Sequence, residues 1–240
     1  MIDQTINTKT IDSAWKPLYR IGAVVALIML VFIPIQGFVY FKWPPPTAVN
    51  DWFTLFQKNP FLGLLSLDFF YIIDNVFMIL IYLAFYASLK QTNKYAVVIA
   101  LSFGLVGLAS YYPSNTAFEM LSLSNQFRAT TIGAERAMLL AAGQTMLAVF
   151  KGTAFNVYYV LNAFALLIFA VVMLRSKIFS KVTAYWGILA GILMLIPSTA
   201  GKIGVIFSFT SLVPWMVFSV LFARRLFQLG SVASKEGGAA

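Results

Sequence analysis

Long blocks of apolar residues constrain the fold of this chain more than any other feature. The first block, residues 21–41, is followed by five more of comparable length. A helix rises 1.5 Å per residue, so about 20 apolar residues cross the roughly 30 Å hydrocarbon core of a bilayer. Only 10% of the 240 residues are charged, whereas about a quarter are charged in a soluble domain. The blocks therefore predict membrane-spanning helices.

The breaks between the apolar blocks separate six predicted spans. Prolines and short basic turns mark most of these breaks, and consecutive prolines cannot continue a helix. The pattern predicts an all-α fold, a polytopic transmembrane helical bundle of about six spans. The spans are predicted at residues 19–41, 61–89, 95–112, 153–174, 182–200 and 205–226.

The predicted spans belong to a single transmembrane helical domain, residues 19–226. A polar N-terminal segment, residues 1–18, precedes it, and a small, polar tail, residues 227–240, is predicted to be flexible. The long connection between spans three and four, residues 113–152, is predicted to be external. Its second half, about 133–150, predicts an amphipathic helix on the membrane surface, because it is too polar for a span.

The distribution of basic residues predicts the orientation of the chain. Cytoplasmic loops of membrane proteins carry an excess of Lys and Arg. With the N-terminus in the cytoplasm, eleven of the 17 Lys and Arg residues fall on that side and six on the other. Both termini are therefore predicted to be cytoplasmic.

The chain contains no Cys and no His, which excludes several kinds of chemistry. Disulfides, thiolate or imidazole metal sites, haem held by these residues and Ser-His or Cys-His nucleophiles all need them. We therefore predict no metal site, no cofactor and no catalytic residue, and an enzyme is the less favoured interpretation. The net charge of +9 is concentrated at the ends of the apolar blocks, so we expect contact with lipid and no binding of nucleic acid.

Span two carries the main candidate residues for a functional site. At 100° per residue its polar and aromatic side chains fall within an arc of about 120°. A carboxylate at the centre of a membrane helix costs about 2.5–3.5 kcal/mol, so it normally faces the bundle or water. The aspartates bind a cation or polar ligand, or they carry protons; alternatively, they are protonated or hydrogen-bonded packing residues. The candidates on this stripe are Asp68, Tyr71, Asp74 and Asn75.

Span four offers polar partners for span two. Asn156, Tyr159 and Asn162 follow one another at a spacing of three residues and share one arc of the helix. Asn side chains form hydrogen bonds between membrane helices that are worth about 0.6 kcal/mol each. We therefore predict a polar contact between spans two and four. Asn156 and Asn162 join the ligand or proton candidates, with packing alone as the alternative.

Two further features suggest functions that are less specific. Glu119, Glu135 and Arg136 in the outer connection could form a lid over an outward-facing cavity, or they are simply solvated. The stretch Leu30–Pro34 resembles Leu193–Pro197. A repeated pair of broken helices can mark a transporter site, whereas proline as a helix terminator is the simpler interpretation.

Several motifs resemble one bacterial family. They are NPFLGLLSLD at residues 59–68, the run from ERA to AAG at 135–143, GTAFN at 152–156 and LRS at 174–176. Together they resemble a family of six-helix integral membrane proteins catalogued only as a domain of unknown function. The resemblance covers most of the chain. It implies a protein of the bacterial cytoplasmic (inner) membrane with an external segment between spans three and four.

Two functions from different classes stay open on the sequence. In the first, the protein binds or transports a small molecule, lipid or cation through the polar stripe of span two. In the second, it is an accessory or anchoring subunit of a membrane complex, without chemistry of its own. The expected partners are the lipid bilayer, a small-molecule or lipid ligand, and either a second copy or a partner subunit.

Overall fold

The computed structural model describes residues 13–231, and every regular element in this part of the chain is a helix. The predicted all-α fold is confirmed. Single turns of 3-10 helix lie at Ser13–Trp15 and Tyr112–Ser114. The α-helices of the described chain are α1 (Lys16–Lys42), α2 (Val49–Lys58), α3 (Pro60–Ser66), α4 (Phe69–Leu89), α5 (Lys94–Tyr111), α6 (Ala117–Ala129), α7 (Gly133–Phe150), α8 (Thr153–Arg175), α9 (Lys181–Leu193) and α10 (Gly201–Ser231).

Five helical segments of the described chain are long and apolar enough to cross a membrane. Two of them contain a pair of consecutive helices, α5 with α6 and α7 with α8. The segments are Lys16–Lys42, Phe69–Leu89, Lys94–Ala129, Gly133–Arg175 and Gly201–Ser231.

The fifth predicted span is a shorter helix. α9 contains 13 residues, which is about 20 Å of helix and less than the roughly 30 Å of a hydrocarbon core. It ends at Leu193, four residues before Pro197. In a continuous helix the ring of Pro197 would clash with the carbonyl group of Leu193, so the proline explains the end of α9.

The similar stretch Leu30–Pro34 has a different structure. α1 continues through Pro34 to Lys42, so this proline does not terminate its helix. The two stretches therefore do not form a pair of broken helices.

The second predicted span is interrupted, and the prediction of one continuous helix over 61–89 is wrong. α3 ends at Ser66 and α4 begins at Phe69. Between them Asp68 has a φ of 60°, in the left-handed region that Asp enters more readily than most residues. Because of this break, Asp68 and Asp74 do not lie on one helix face.

The long connection, residues 113–152, contains two α-helices, and α7 has the bounds of the helix predicted at 133–150. α6 occupies the polar first half. Helices α2, α6 and α7 pack together, and at their contact a Cβ atom added to Gly143 would lie only 2.5 Å from a methyl group of Val49. Residues of α2 and α6, together with Leu67, form a buried cluster against which Leu139 and Leu140 of α7 pack; its members are Val49, Trp52, Phe53, Phe56, Leu67, Ala117, Met120 and Phe127.

The described residues form two compact units. The first unit contains residues 13–30, 77–107 and 159–231, and the second contains 31–76 and 108–158. The core of the first unit is aromatic and includes the stacked rings of α4, α8 and α10. The core of the second unit is the buried cluster formed by α2, α6 and Leu67.

The two predicted terminal segments lie largely outside the described residues. α1 already begins at Lys16, within the predicted segment 1–18, and α10 continues to Ser231, within the predicted tail 227–240.

Candidate functional site

The candidate site is built around the break between α3 and α4, in the second unit. At the start of α3, Asn59 Oδ1 accepts a hydrogen bond from the Leu62 N–H at 3.0 Å, and Pro60 occupies the first helical position. This N-cap and proline define where α3 begins. At its other end the carbonyl groups of the last turn need hydrogen-bond donors from elsewhere.

Side-chain amides supply those donors. Gln36 Nε2 in α1 donates to the carbonyl oxygen of Leu65 at 3.0 Å. Asn115 Nδ2 donates to the carbonyl oxygen of Leu67 at 2.9 Å and approaches that of Asp68 at 3.4 Å. Because Gln36 and Asn115 are both buried, these bonds hold the break in one defined structure.

The carboxylate of Asp68 is held by α1. The Tyr40 hydroxyl donates to Oδ1, and Gln36 Nε2 approaches the same oxygen at 3.4 Å. Within the described chain no hydrogen bond reaches Oδ2. Asp68 precedes the span Phe69–Leu89, and burial raises the pKa of its carboxyl group to about 6, while the Tyr40 hydrogen bond and the charge of Lys151 oppose this shift.

Tyrosine side chains lie around the break. The Tyr111 hydroxyl donates to the backbone carbonyl of Asp68 at 3.3 Å. The ring centroid of Tyr111 lies 6.3 Å from that of Tyr71 and 4.9 Å from that of Tyr158. The faces of such rings attract cations. The site thus combines one carboxylate with hydroxyl, amide and aromatic groups.

Three buried polar atoms of the second unit have no hydrogen-bond partner among the described residues: Gln36 Oε1, Ser66 Oγ and Asn75 Oδ1. Buried polar atoms are normally paired, so each of these needs an explanation. The two amide oxygens can only accept, and their missing partners are therefore donors or cations. Gln36 and Ser66 adjoin the break, whereas Asn75 lies about 10 Å farther along the chain at 1.5 Å per helical residue.

Of the remaining candidates on span two, hydrogen bonds link Tyr71 and Asn75 to the break, whereas Asp74 has no such link. The Tyr71 N–H donates to the Asp68 carbonyl at 2.9 Å. Asn75 is fully buried, and its Nδ2 donates to the Tyr71 carbonyl at 2.8 Å. Asp74 is half-buried and has no hydrogen bond or salt bridge to another described residue.

The predicted polar contact between spans two and four is present in the first unit, where Tyr82 makes it. The Tyr82 hydroxyl donates to Asn162 Oδ1, and both residues are buried. Gly107 lies so close to Asn162 that a Cβ atom there would clash with the amide. Asn156 instead donates to the Gly152 carbonyl at 2.9 Å in the first turn of α8. The two asparagines of α8 therefore have different hydrogen-bond partners and do not contribute to one site.

We expect Asn162→Leu to lower the free energy of unfolding by about 1–3 kcal/mol, because it leaves the Tyr82 hydroxyl buried without this acceptor. Thermal unfolding in detergent of the wild type, N162L, Y82F and the double variant measures the effect. The double variant should lose less than the sum of the single losses. Strictly additive losses would contradict a direct hydrogen bond.

The three outer charged candidates do not converge on a site. Arg136 Nη1 donates to the carbonyl groups of Phe127 and Thr130 at 3.1 and 3.2 Å, and its guanidinium lies 3.7 Å from the Phe127 ring centroid. The Thr130 hydroxyl donates to Glu135. These contacts join α6 to α7. Glu119 is exposed in the first turn of α6, where a negative charge suits the helix dipole.

Five residues of the candidate site were not among the predicted candidates: Gln36, Tyr40, Ser66, Tyr111 and Asn115. A signal for two of them was present. Gln36 is the single side-chain amide in the apolar run of α1, and Tyr40 follows at a spacing of four, which places both on one helix face. Tyr111 is the last residue of α5, and Asn115 follows four residues later; polar and aromatic residues are common at such helix ends, so neither stands out in the sequence.

The described residues contain no group of three or more Asp or Glu that could hold a metal ion. Residues 20–229 match a family model whose description is domain of unknown function (DUF4386). No curated protein and no solved structure matches the chain.

Proposed function

For a chain that belongs to the family of the domain of unknown function DUF4386, we propose that it binds a small monovalent cation, in the simplest case a proton, at the break around Asp68. The family membership confirms the resemblance carried by the sequence motifs. We further propose a multi-pass protein of the bacterial cytoplasmic membrane with both termini in the cytoplasm, an orientation that requires a sixth crossing formed by α9 and the residues after it, 181–200, beside the five long segments. Five apolar helices of sufficient length support the membrane location.

The observation that carries the proposal is a half-buried carboxylate at the break of an interrupted helix. In many membrane transporters an interrupted helix presents unwound backbone and side-chain oxygens to an ion. Here the break at Asp68 has a carboxylate whose Oδ2 receives no hydrogen bond from the described chain. The unpaired Gln36 Oε1 and Ser66 Oγ beside the break offer further oxygen ligands.

The ligand set indicates the charge of the bound ion. All the candidate ligand atoms for an ion at the break are oxygens, and Asp68 contributes the one carboxylate among them. Divalent ions such as Ca²⁺ are usually held by several carboxylates, whereas a single charge on Asp68 balances one proton or one alkali-metal ion. The Tyr40 hydroxyl and the Gln36 amide position the carboxylate by binding its other oxygen.

Binding of a cation would change the contact between α1 and the break. The hydrogen bond from Tyr40 is charge-assisted while Asp68 is ionised, and such bonds are about twice as strong as neutral ones. A proton or metal ion on Oδ2 neutralises the carboxylate and weakens this bond. Occupancy of the site is thereby linked to the position of Tyr40 in the second unit.

A pH series tests the proton form of the proposal. The pKa of Asp68 is about 6 in the folded protein against 3.8 for an ordinary carboxyl group, so the folded state binds more protons between these values. The contribution of Asp68 to stability is therefore fully present below about pH 3.8 and is lost as the pH rises through about 6. We expect this decline in thermal stability for the wild type and a smaller decline in Asp68→Asn. Asp51→Asn, at an exposed carboxylate of the same unit, is the matched control.

A salt series at a pH above 6 tests the metal-ion form. NaCl or LiCl should raise the melting temperature of the wild type saturably, as expected for a ligand of the folded state, while choline chloride of equal ionic strength should not. Asp68→Asn should remove the response. If D68N keeps the wild-type response to both pH and cations, the site is structural. The accessory-subunit function then becomes the better description.

A further inference from the structure

An open cleft lies in the first unit, between the start of α5 and the end of α8. Its volume is about 250 Å³, just below the roughly 300–1,000 Å³ of small-molecule pockets. Ala96, Leu167 and Val171 contribute to its apolar walls, and Asn93 and Arg175 lie among the polar residues that line it. A narrow apolar cleft with a polar and basic edge suits part of an amphiphilic molecule.

The first unit has a large excess of positive charge. Its described residues include ten Lys and Arg but no Asp or Glu, because all five acidic residues of the described chain lie in the second unit. Among the described residues, the first unit therefore contains no acidic side chain that could pair with its basic ones. Anionic lipid headgroups attract basic residues near a membrane surface by about 1 kcal/mol each, and they would supply the missing negative charge.

Arg175 is the basic residue at the cleft. It is exposed and forms no hydrogen bond or salt bridge with another described residue. Arg20 and Arg225, in the same unit, each donate to a backbone carbonyl instead. Lys94 is also exposed and follows Asn93 in the chain. The guanidinium of Arg175 is thus available for a ligand at the edge of an apolar cleft.

We propose that this cleft binds an anionic phospholipid of the surrounding bilayer. Its phosphate pairs with Arg175, since a guanidinium group matches two phosphate oxygens at once. The upper part of one acyl chain lies in the cleft against Leu167 and Val171, and the rest of the lipid stays in the bilayer. The site is separate from Asp68 and does not depend on the function proposed above.

The test compares variants in nanodiscs of phosphatidylcholine with and without phosphatidylglycerol. Arg175→Gln removes the phosphate ligand, and Ala96→Phe fills the cleft without a change of charge. Lys202→Gln is the matched control, because it removes one exposed positive charge from the same unit. Native mass spectrometry of the released protein measures how much phosphatidylglycerol each variant retains.

We expect Arg175→Gln to reduce the affinity for phosphatidylglycerol about fivefold, which is the loss of one such charge–headgroup interaction. Ala96→Phe should also reduce retention, and Lys202→Gln should not. Equal retention in R175Q and K202Q would show only diffuse attraction and would overturn the proposal. So would unchanged retention in A96F, or displacement of the lipid by inorganic phosphate at low concentration, since the acyl chain would then contribute nothing.

An exposed position on the wall of the cleft provides a second test of lipid binding if A96F does not give a monodisperse protein. Val171 is 46% exposed, and Val171→Asp places a negative charge on the wall of the cleft without disturbing the core. It should lower phosphatidylglycerol retention at least as much as R175Q. Wild-type retention in V171D would overturn the proposal.

Discussion

Phe85→Ala is expected to lower the free energy of unfolding by about 3–5 kcal/mol, the usual cost of removing a buried phenyl ring. Phe85 is 1% exposed in the first unit. Its ring centroid lies 4.7 Å from that of Phe169 and 4.3 Å from that of Phe222. Truncation leaves a cavity between α4, α8 and α10, and the facing rings lose their dispersion contacts.

The effect of Phe85→Ala is measured by thermal or denaturant unfolding in detergent. Phe164→Ala is the matched control, because Phe164 belongs to the same unit but is 43% exposed. Its truncation should change stability by no more than about 0.5 kcal/mol. Similar losses in both variants would contradict the idea that ring packing inside the unit stabilises it. A membrane environment sharpens this contrast, since lipid tails are as apolar as the side chains they touch.

Gly104→Leu is expected to be the second most disruptive substitution, with a loss of about 3 kcal/mol, near the upper end of the usual range for overpacking. A Cβ atom at Gly104 would lie 2.5 Å from the ring of Tyr82. That ring cannot move away freely, because its hydroxyl donates to Asn162 and its face stacks on Phe169 at 5.8 Å. The helices α4 and α5 would have to separate.

Gly37→Leu is the control for Gly104→Leu. Gly37 lies inside α1, and no atom would lie within 4 Å of a Cβ atom added there. Leu favours the helix over Gly by up to about 1 kcal/mol, so the control substitution should be neutral or slightly stabilising. The melting temperatures of the two variants in detergent decide the point. A loss in G37L as large as that in G104L would mean that leucine is harmful for a reason other than contact with Tyr82.

The two aspartates of the second predicted span have different surroundings in the structure. Asp68 is bound by Tyr40 and adjoins unpaired oxygens, whereas Asp74 has no hydrogen bond to another described residue. Sequence periodicity treats the two alike, because it assumes one continuous helix. The break at Asp68 removes that assumption, and it makes Asp68 the first residue to replace in a functional experiment.

The amino-acid sequence by itself determined the helical class, the family and most helix positions. Hydropathy is a pattern along a single helix, so the apolar block between Gly152 and the basic turn at 175–177 predicts α8 within one residue of its observed bounds, Thr153–Arg175. The polar helix at 133–150 follows from the same local pattern and appears as α7. The family resemblance rested on short motifs and was confirmed over residues 20–229.

Only the tertiary structure decided where a helix is interrupted and which side chains meet there. Pro34 and Pro197 stand in similar local sequences, yet α1 passes through the first proline and α9 ends before the second. The break at Asp68 depends on donors that are distant in sequence, with Gln36 32 residues before it and Asn115 47 residues after it. Local propensity extends over a few residues and cannot report which distant amide will satisfy a free carbonyl group. Long-range packing makes that choice, and so it sets the geometry of the candidate site.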